Sequence, residues 1–435
     1  MNPYVQYMYS YPHKTAYRRL RGISLEQYVH YLKGGGNGLY VHLPFCQSKC
    51  GYCNLFSVTG RQEADVSRYL EALSRQCIQY QQLLNSVQAE FGELVIGGGT
   101  PLLLTEQQLD RLFGMLQKHI RFLAQREAVI ETAPNQTDAR KLGILKQAGV
   151  TRVSVGIQSF HDQELRALGR KHQAQKAREA LHLLKAADFA CINTDFIYGI
   201  PGQTVQSLLD SLKEALAFAP DEIFLYPLYL HPGAWLKQRG RDGEETQAFL
   251  QYQHGSAFLK SAGYRQDSMR RFVRQSGTRP YQACGFGTSL ALGCGGRSYL
   301  GNLHFCSPYA TAQEECLQRL LEYEQTKDYT QITHGILLSE EERKRRYIIR
   351  HLLIQPGLSL DEYQKVFTTA AMEEFPILND WRKSGYVRLQ ENGRDQREQK
   401  ETFLSLTTEG MGLSDYLGPM LISEEVLALM KTWKA

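Results

Sequence analysis

Between residues 39 and 228, short apolar runs alternate with amphipathic helical stretches, and this alternation constrains the fold more than any other feature. The runs are short and rich in Val, Ile and Phe, which is typical of strands buried in a parallel sheet. Strand–helix units connect by right-handed crossovers and build one parallel sheet. The six runs are Leu39–Leu43, Glu93–Ile96, Ala128–Glu131, Arg152–Gly156, Cys191–Ile197 and Glu222–Leu228. Six units are too few for a complete eight-stranded barrel, so we predict an α/β fold with a partial (β/α)6 barrel, open on one side.

The composition of the chain changes along its length, which predicts four regions. Residues 1–37 are rich in Tyr and form an N-terminal extension, and residues 38–230 form the barrel. Residues 231–335 are Gly-rich and are expected to cap the barrel and contact the substrate. Residues 336–435 read as three helices (341–354, 361–368, 371–384) and a hairpin, which predicts a winged-helix-like α+β domain.

Charge and hydropathy narrow the class of protein. The net charge of +5 is too small to indicate a nucleic-acid partner, but it suits an anionic ligand. The basic run Arg343–Arg346 is interpreted as a solvated helix face, and a DNA-binding helix is the alternative. The chain has no apolar run of 18 residues and no secretory h-region, so we expect a cytoplasmic protein with no membrane partner.

The N-terminal stretch 9–15 has an unusual pattern of Tyr, Pro and basic residues. We hypothesise that it folds over the mouth of the barrel, where His13, Lys14 or Arg18 would meet an anionic substrate. A tail that is simply docked on the surface is the alternative.

Three cysteines, Cys46, Cys50 and Cys53, lie within eight residues directly after the first predicted strand. Three thiolates fill three irons of a [4Fe–4S] cluster and leave the fourth iron open to a ligand, whereas electron-transfer ferredoxin clusters take four cysteines. A zinc site is the alternative, but zinc requires four N or S ligands, and no further Cys or His follows at tight spacing. The spacing therefore favours a [4Fe–4S] cluster at the C-terminal end of a barrel strand, where barrel active sites lie.

Polar or flexible residues also follow the later strands. The stretch Gly97–Pro101 reads Gly-Gly-Gly-Thr-Pro and permits a ligand to approach the backbone closely. A charge at Asp195, among Ile192, Phe196 and Ile197, must be paired or functional. Together the strand ends offer a cation for a carboxylate and acceptors for hydroxyl and amine groups. The candidate residues are Gly98, Gly99, Thr100, Glu131, Gln158, Arg170 and Asp195.

These motifs, in this order, resemble one group of the radical S-adenosylmethionine (SAM) superfamily. That group is the oxygen-independent coproporphyrinogen III oxidase family, which includes related haem chaperones. The resemblance covers residues 39–230 and, more loosely, 290–435. It is carried by the run Tyr40–Cys46 (Tyr-Val-His-Leu-Pro-Phe-Cys), the three cysteines, Gly97–Pro101, Gly156–Phe160 and Asp195–Thr204.

The resemblance implies a radical SAM barrel whose [4Fe–4S] cluster cleaves SAM reductively to a 5′-deoxyadenosyl radical. The radical would serve oxidation or methylation of an organic substrate, with a porphyrin-like acid as one candidate. The family also uses a reductant such as flavodoxin or ferredoxin, and it can hold a second SAM in the same cavity. The resemblance assigns the methionine end of SAM to Gly98, Gly99 and Thr100, its carboxylate to Arg170, its polar groups to Glu131, its ribose to Gln158 and Asp195, and the sulfonium side to Tyr40.

Two departures from the family pattern bear on the substrate. The oxidase branch has a fourth cysteine where this chain has Leu55. The haem chaperone branch carries a His-Asn…Tyr-Trp motif where this chain has Ala283–Thr288, Ala-Cys-Gly-Phe-Gly-Thr. The sequence therefore favours a radical SAM enzyme acting on another organic substrate, and a haem-delivery chaperone is the alternative.

Overall fold

Six parallel strands in consecutive order form the centre of the sheet, and they correspond to the six predicted runs. The protein is described by a computed structural model over residues 2–8, 10–230, 234–238, 245–274, 286–392 and 401–433. The six strands, β2 to β7, are each followed by at least one helix, so the predicted α/β fold with a partial (β/α)6 barrel is confirmed. The strands in chain order are β1 Arg18–Arg19, β2 Gly34–Leu43, β3 Ala89–Gly98, β4 Phe122–Thr132, β5 Arg152–Gln158, β6 Cys191–Tyr198, β7 Glu222–Pro227, β8 Tyr264–Gln266, β9 Arg271–Arg274, β10 Ser289–Leu292, β11 Ser298–Leu300, β12 Leu303–Phe305, β13 His334–Leu337, β14 Leu358–Ser359, β15 Val387–Asn392 and β16 Glu401–Leu406.

The helices pack on the outer face of this sheet and in the C-terminal region. Apolar residues at helical spacing bury one side of each barrel helix, as on Glu106–His119, where a capping box at Thr105 fixes the start. The helices in chain order are α1 Leu25–Tyr28, α2 Glu63–Ser86, α3 Glu106–His119, α4 Ala139–Gln147, α5 Asp162–Ala167, α6 Ala174–Ala187, α7 Val205–Leu216, α8 Trp235–Gln238, α9 Glu245–Ser261, α10 Gln313–Gln325, α11 Glu340–Leu352, α12 Leu360–Phe367, α13 Ala371–Glu374, α14 Ile377–Lys383, α15 Thr408–Gly412, α16 Ser414–Leu417 and α17 Glu424–Lys431.

Strands from residues outside the repeat extend the sheet on both sides. The order is β1-β13-β12-β11-β10-β2-β3-β4-β5-β6-β7-β9-β8, in which β10 runs parallel to β2. The sequence did not predict these outer strands, because each has only two to four residues and a run that short carries no periodic signal.

The C-terminal region has its own hydrophobic core around a three-stranded sheet, β14-β16-β15. Helices α11, α12 and α14 pack on this sheet, which agrees with the predicted winged-helix-like α+β arrangement. One predicted helix, 371–384, is wrong as a single element. Pro376 lacks a backbone N–H and splits it into α13 and α14. Tyr11 and Ala16 of the N-terminal extension belong to the same core.

The basic run Arg343–Arg346 lies on α11 and is only partly a solvated face. Lys344 pairs with Glu340 and Glu374 at 3.4 and 2.5 Å, and Arg345 pairs with Glu341 at 2.6 Å. These local ion pairs occupy two of the four basic side chains, while Arg346 turns inward. Among the described residues, no helix is both long and apolar enough to span a bilayer.

Candidate functional site

The loop that carries the three cysteines is closed at its base by backbone hydrogen bonds. The Cys46 N–H donates to the Val58 carbonyl at 2.9 Å, and the Val58 N–H donates to the Pro44 carbonyl at 2.7 Å. Within the loop, the Cys53 N–H donates to the Cys50 carbonyl at 3.1 Å, which forms a tight turn. All three thiols are half-buried, and the loop presents them together at the end of β2.

An open cavity of about 210 Å³ lies at the C-terminal ends of strands β2 to β6. Parallel strands direct their carboxyl ends to one edge, which is why residues far apart in sequence meet here. Of the eleven predicted site residues, Tyr40 alone is not among those lining the cavity. The predicted residues that line it are Cys46, Cys50, Cys53, Gly98, Gly99, Thr100, Glu131, Gln158, Arg170 and Asp195.

The glycine-rich turn after β3 packs directly on the cysteine loop. The Gly99 N–H donates to the Leu43 carbonyl and the Thr100 N–H donates to the Phe45 carbonyl, both at 2.7 Å. The Thr100 hydroxyl lies 3.8 Å from the Cys46 sulfur and points its donor at it. This close approach depends on a missing side chain, because a Cβ on Gly99 would lie within 2.8 Å of the Phe45 backbone.

We expect Gly99→Ala to destabilise the protein by about 1–3 kcal/mol, because the added methyl group overlaps backbone that cannot rotate away. Gly143→Ala is the matched control. Gly143 is exposed on α4, and a Cβ added there would meet no atom within 4 Å, so alanine should stabilise the helix by about 0.5–1 kcal/mol. Urea unfolding of both variants measures the difference. Equal stabilities would show that the turn does not need glycine.

Glu131 lies at the end of β4, against the glycine-rich turn. One of its carboxylate oxygens accepts from the Gly98 N–H at 3.2 Å, and a Cβ on Gly97 would lie 2.7 Å from that carboxylate. Burial raises the pKa of Glu131 to about 7 despite the hydrogen bond from Gly98. A carboxylate that burial destabilises in this way favours a cationic or hydrogen-donating ligand group in the cavity.

Arg170 follows α5 and reaches back into the cavity. Its Nη1 lies 3.3 Å from the Cys50 sulfur, and its Nη2 donates to the Gly156 carbonyl at 2.7 Å. The guanidinium is therefore oriented by the backbone of β5 and placed beside one of the three thiols. Gln158, at the end of the same strand, is buried with a positive φ of 70° after a register shift in β5. Such a conformation is uncommon for a residue with a side chain and occurs where the strand turns its side chain toward a site.

Asp195 on β6 is held by two neighbours that the sequence analysis did not single out. Its carboxylate accepts from the Asn193 amide at 2.9 Å and from the Ser154 hydroxyl at 3.2 Å. Burial raises the pKa of Asp195 to about 6, while these hydrogen bonds act against that rise. The signal that would have found Asn193 is strand alternation, since residue i−2 shares the face of Asp195. Ser154 lies on β5, directly opposite Asn193 in the register.

His42 and Tyr40 form a layer behind the glycine-rich turn. The two His42 ring nitrogens lie 3.1 Å from the Tyr40 hydroxyl and 2.9 Å from the Phe56 carbonyl oxygen, so neither is directed at the cysteines. A Cβ on Gly98 would lie 2.6 Å from the His42 ring, which shows how closely this layer supports the turn. Burial lowers the pKa of His42 to about 4 and keeps the ring neutral. A sulfonium contact for Tyr40 stays a prediction.

The chemistry of the three thiols fits a metal–sulfur cluster. Burial raises the pKa of Cys53 to about 12 and also raises that of Cys46, so without a bound cation these sulfurs stay protonated. Among the described residues, no three Cys, His, Asp or Glu side chains are gathered so as to hold one metal ion. Three thiols on one loop suit a [4Fe–4S] cluster, which can take three cysteines and leave one iron open, whereas zinc requires four N or S ligands.

The N-terminal extension packs at the same end of the barrel. The ring of Tyr4 lies 6.0 Å from that of Tyr198 at the end of β6, and Tyr7 stacks at 5.9 Å on Tyr229, just after β7. The basic residues of this segment have other contacts, and none of them lines the cavity. The Lys14 ammonium lies 3.7 Å from the Tyr309 ring centroid, and Arg18 donates to the Thr15, Tyr17 and Leu429 carbonyls. The segment thus covers one side of the mouth, and its part in substrate binding stays a hypothesis.

Comparisons with known proteins agree with this geometry. The family model described as the radical SAM superfamily matches residues 40–215. A haem chaperone HemW of Haemophilus influenzae is 30% identical over 267 residues, which are 60% of this chain and 70% of the relative. An oxygen-independent coproporphyrinogen III oxidase of Pseudomonas aeruginosa is 27% identical over 417 residues, which are 89% of this chain and 88% of the relative.

The fold has a counterpart among solved structures. The structure described as coproporphyrinogen III oxidase (HemN) from Escherichia coli, a radical SAM enzyme, superposes with a TM-score of 0.81. The match covers 95% of this chain and 96% of the other, at 24% identity. Barrel, outer strands and C-terminal region are therefore shared as one architecture.

Proposed function

Because this chain belongs to the radical SAM superfamily, in the group of HemW haem chaperones and oxygen-independent coproporphyrinogen III oxidases, we propose that it is a radical SAM enzyme. It would oxidise or methylate an organic substrate, for which a porphyrin-like acid is one candidate. One observation carries the proposal. A single cavity is lined by three cysteines, a glycine-rich backbone turn, an arginine and two half-buried carboxyls.

The [4Fe–4S] cluster would be held by Cys46, Cys50 and Cys53, and neighbouring side chains contact two of their sulfurs. When bound, the cluster supplies an electron that cleaves SAM to methionine and a 5′-deoxyadenosyl radical, which abstracts a hydrogen atom from the substrate. The Thr100 hydroxyl and the Arg170 guanidinium direct donors at two of the three sulfurs. Hydrogen bonds and positive charge at cluster sulfurs favour the reduced state, so both side chains would help the cluster to accept its electron.

The remaining cavity residues would bind SAM. Arg170 would hold the carboxylate, since a guanidinium fixed by the Gly156 carbonyl keeps its other donors in a planar fork. Glu131 and the Gly98–Thr100 turn would contact the methionine end, where Glu131 accepts from an ammonium group. Gln158 and Asp195 would accept from the ribose hydroxyls. A reductant such as flavodoxin or ferredoxin would deliver the electron. Whether one or two SAM molecules bind would be read from the products, since methyl transfer uses a second SAM.

A haem-delivery chaperone is the second candidate function, favoured by the HemW relatives. Two features of this chain count against the two named activities of the group. Leu55, 43% exposed beside the cysteine loop, stands where the oxidase branch has its fourth cysteine. The stretch compared with the chaperone motif is Ala283–Thr288, and its first three residues lie outside the described part of the chain, so its sequence alone bears on haem binding.

The test is anaerobic reconstitution with iron and sulfide, followed by dithionite, SAM and a panel of organic acids and porphyrinogens. We expect 5′-deoxyadenosine to form, and to rise when the substrate is present. S-adenosylhomocysteine alongside it would identify methyl transfer from a second SAM. A cluster-containing protein that binds haem tightly and forms no 5′-deoxyadenosine would support the chaperone instead.

A further inference from the structure

A second group of cations lies where helix α11 meets strands β10 to β12. We call Arg297, Arg346 and Arg350 the arginine cluster. Arg297 directly precedes β11, and the other two lie one turn apart on α11. The guanidinium carbons of Arg346 and Arg297 lie 5.3 and 5.9 Å from the centroid of the Tyr299 ring. Two distant segments of the chain therefore bring like charges to one aromatic ring.

The arginine cluster occupies the same face of the sheet as the candidate cavity. Tyr299 pairs with Ser289, which pairs with Gly38, which pairs with Glu93, and paired residues in a sheet share a face. Four residues along β3 from Glu93, on that same face, Gly97 meets the Glu131 carboxylate. Burial and Glu127 raise the pKa of Glu93 to about 7, while the charge of Arg350 opposes the rise. The guanidinium carbon of Arg350 lies 4.8 Å from the centroid of the Phe286 ring, three residues before β10.

Buried polar atoms around the arginine cluster lack partners. Within the part of the chain that the structure describes, the Tyr17 hydroxyl, the Ser289 hydroxyl and His304 Nδ1 accept or donate no hydrogen bond. These side chains are only 2%, 3% and 1% exposed. Leaving a buried polar atom unsatisfied costs about 1–3 kcal/mol, so three in one neighbourhood indicate a ligand that would satisfy them. The hydroxyls are donors, as guanidinium groups are, which favours a ligand with acceptor oxygens.

The electrostatics of this region agree with a negatively charged ligand. Burial lowers the pKa of His304 far below its usual range, and Arg346, Arg297 and Arg350 lower it further. Burial also lowers the pKa of Arg346, although its side chain stays half exposed. The side chains of Glu131 and Asp195 are likewise partly exposed although burial shifts their pKa values. Such a combination is expected of a side chain that lines an internal cavity. An anion there would relieve the local positive potential.

We propose that the arginine cluster, with Tyr17, Ser289 and His304, binds a carboxylate group and holds it on the face of the sheet that carries the candidate cavity. That this carboxylate belongs to the substrate rests on the proposed function. The planar fork of arginine matches a carboxylate in bidentate geometry, and two such forks converge beside one ring. A phosphate group offers the same acceptor chemistry from another source, so the test includes both.

The experiment measures binding of coproporphyrin III, a porphyrin with four propionates, by quenching of intrinsic fluorescence in the full chain without SAM. We expect Arg346→Gln and Arg350→Gln each to weaken binding by about tenfold or more, the loss typical of a charged hydrogen bond. Arg343→Gln is the matched control, because it removes the same charge from an exposed position of the same helix. It should change the Kd by less than about twofold. Arg346→Lys, which keeps the charge without the fork, should fall between them.

Competition identifies the chemistry of the ligand. Tricarballylate, a small tricarboxylate, should displace the porphyrin. Displacement by pyrophosphate but not by tricarballylate would overturn the carboxylate assignment, and so would equal porphyrin affinity in all four variants or no binding by the wild-type chain. Thermal unfolding of each variant excludes loss of fold as the cause.

The same preparations separate this inference from the proposed function. Cluster absorbance and SAM affinity should be unchanged in Arg346→Gln and Arg350→Gln, since neither residue lines the candidate cavity. An arginine-dependent binding of carboxylates in a protein that forms no cluster would support the anion site and reject the radical SAM reaction. A functional cluster combined with arginine-independent binding would do the reverse.

Discussion

Replacing Cys50 by alanine is expected to abolish the brown absorbance of the reconstituted cluster and to reduce 5′-deoxyadenosine formation to background. Two thiolates cannot retain a [4Fe–4S] cluster that three would hold, and the loss also leaves the Arg170 Nη1 without its sulfur acceptor at 3.3 Å. Substitution of residues that only contact metal ligands typically lowers metal affinity or activity by about 10- to 100-fold. We therefore expect substitution of a ligand itself to lower product formation by at least about 100-fold. Iron and sulfide content per chain, visible absorbance and product formation measure it.

Cys191→Ala provides the control for that variant. Cys191 is also a free, half-buried cysteine, but it lies at the start of β6 and does not line the cavity. Its replacement should leave iron content and product formation unchanged. A normal cluster spectrum in Cys50→Ala would contradict the ligand assignment, and equal losses in both variants would point to a general effect of removing thiols.

The sequence predicted the barrel because its strands are long enough to carry a pattern and its connections follow a rule. Runs such as Ala128–Glu131 are apolar and end at a polar residue, and right-handed crossovers then leave few arrangements of the sheet. Once the strands are parallel, residues that follow them must meet at one edge. That argument alone brought Cys46, Glu131 and Asp195 to one cavity, where the structure has them.

Other parts of the site depend on contacts that no local pattern encodes. The partners of Asp195 come from its own strand and from the neighbouring strand, so they require the register of β5 and β6. Tyr40 lies behind the turn because its hydroxyl contacts the His42 ring at 3.1 Å, and the sequence does not show which face of β2 these two residues occupy. The outer strands β10 to β12 are too short to be identified from the sequence, so the arginine cluster could not be predicted either. Arg297, which precedes β11, meets Arg346 and Arg350 only after α11 packs against the sheet.

The N-terminal extension illustrates the same limit at the scale of a whole segment. Its tyrosines and basic residues indicated a role at the barrel mouth, and Tyr4 and Tyr7 do pack there. However, Tyr11 and Ala16 belong to the core of the C-terminal region. The segment therefore connects the barrel to that core, and its removal would disturb both. Point substitutions are the better probe of its role in turnover.

Replacing Asp195 by alanine is expected to weaken SAM binding by roughly 10- to 100-fold, the loss of hydrogen bonds to a charged acceptor, while the cluster is retained. Asp195 lines the cavity, and its carboxylate accepts hydrogen bonds from Asn193 and Ser154 rather than from the cysteines, so the iron content should stay normal. Without the carboxylate, the Asn193 amide still donates to the Ser154 hydroxyl at 2.6 Å, and the strands should keep their arrangement. Equilibrium dialysis of SAM against the reconstituted, anaerobic protein measures the change in Kd.

The matched control is Asp210→Ala, which removes the same carboxylate from an exposed position on α7, where it accepts only from Gln206 at 2.9 Å among the described residues. Its Kd for SAM should stay within about twofold of the wild-type value. Asp195→Asn should bind SAM with intermediate affinity, because the amide keeps one acceptor but loses the charge. Wild-type SAM affinity in Asp195→Ala would remove this residue from the SAM site, and loss of iron in that variant would mean that it supports the cysteine loop instead.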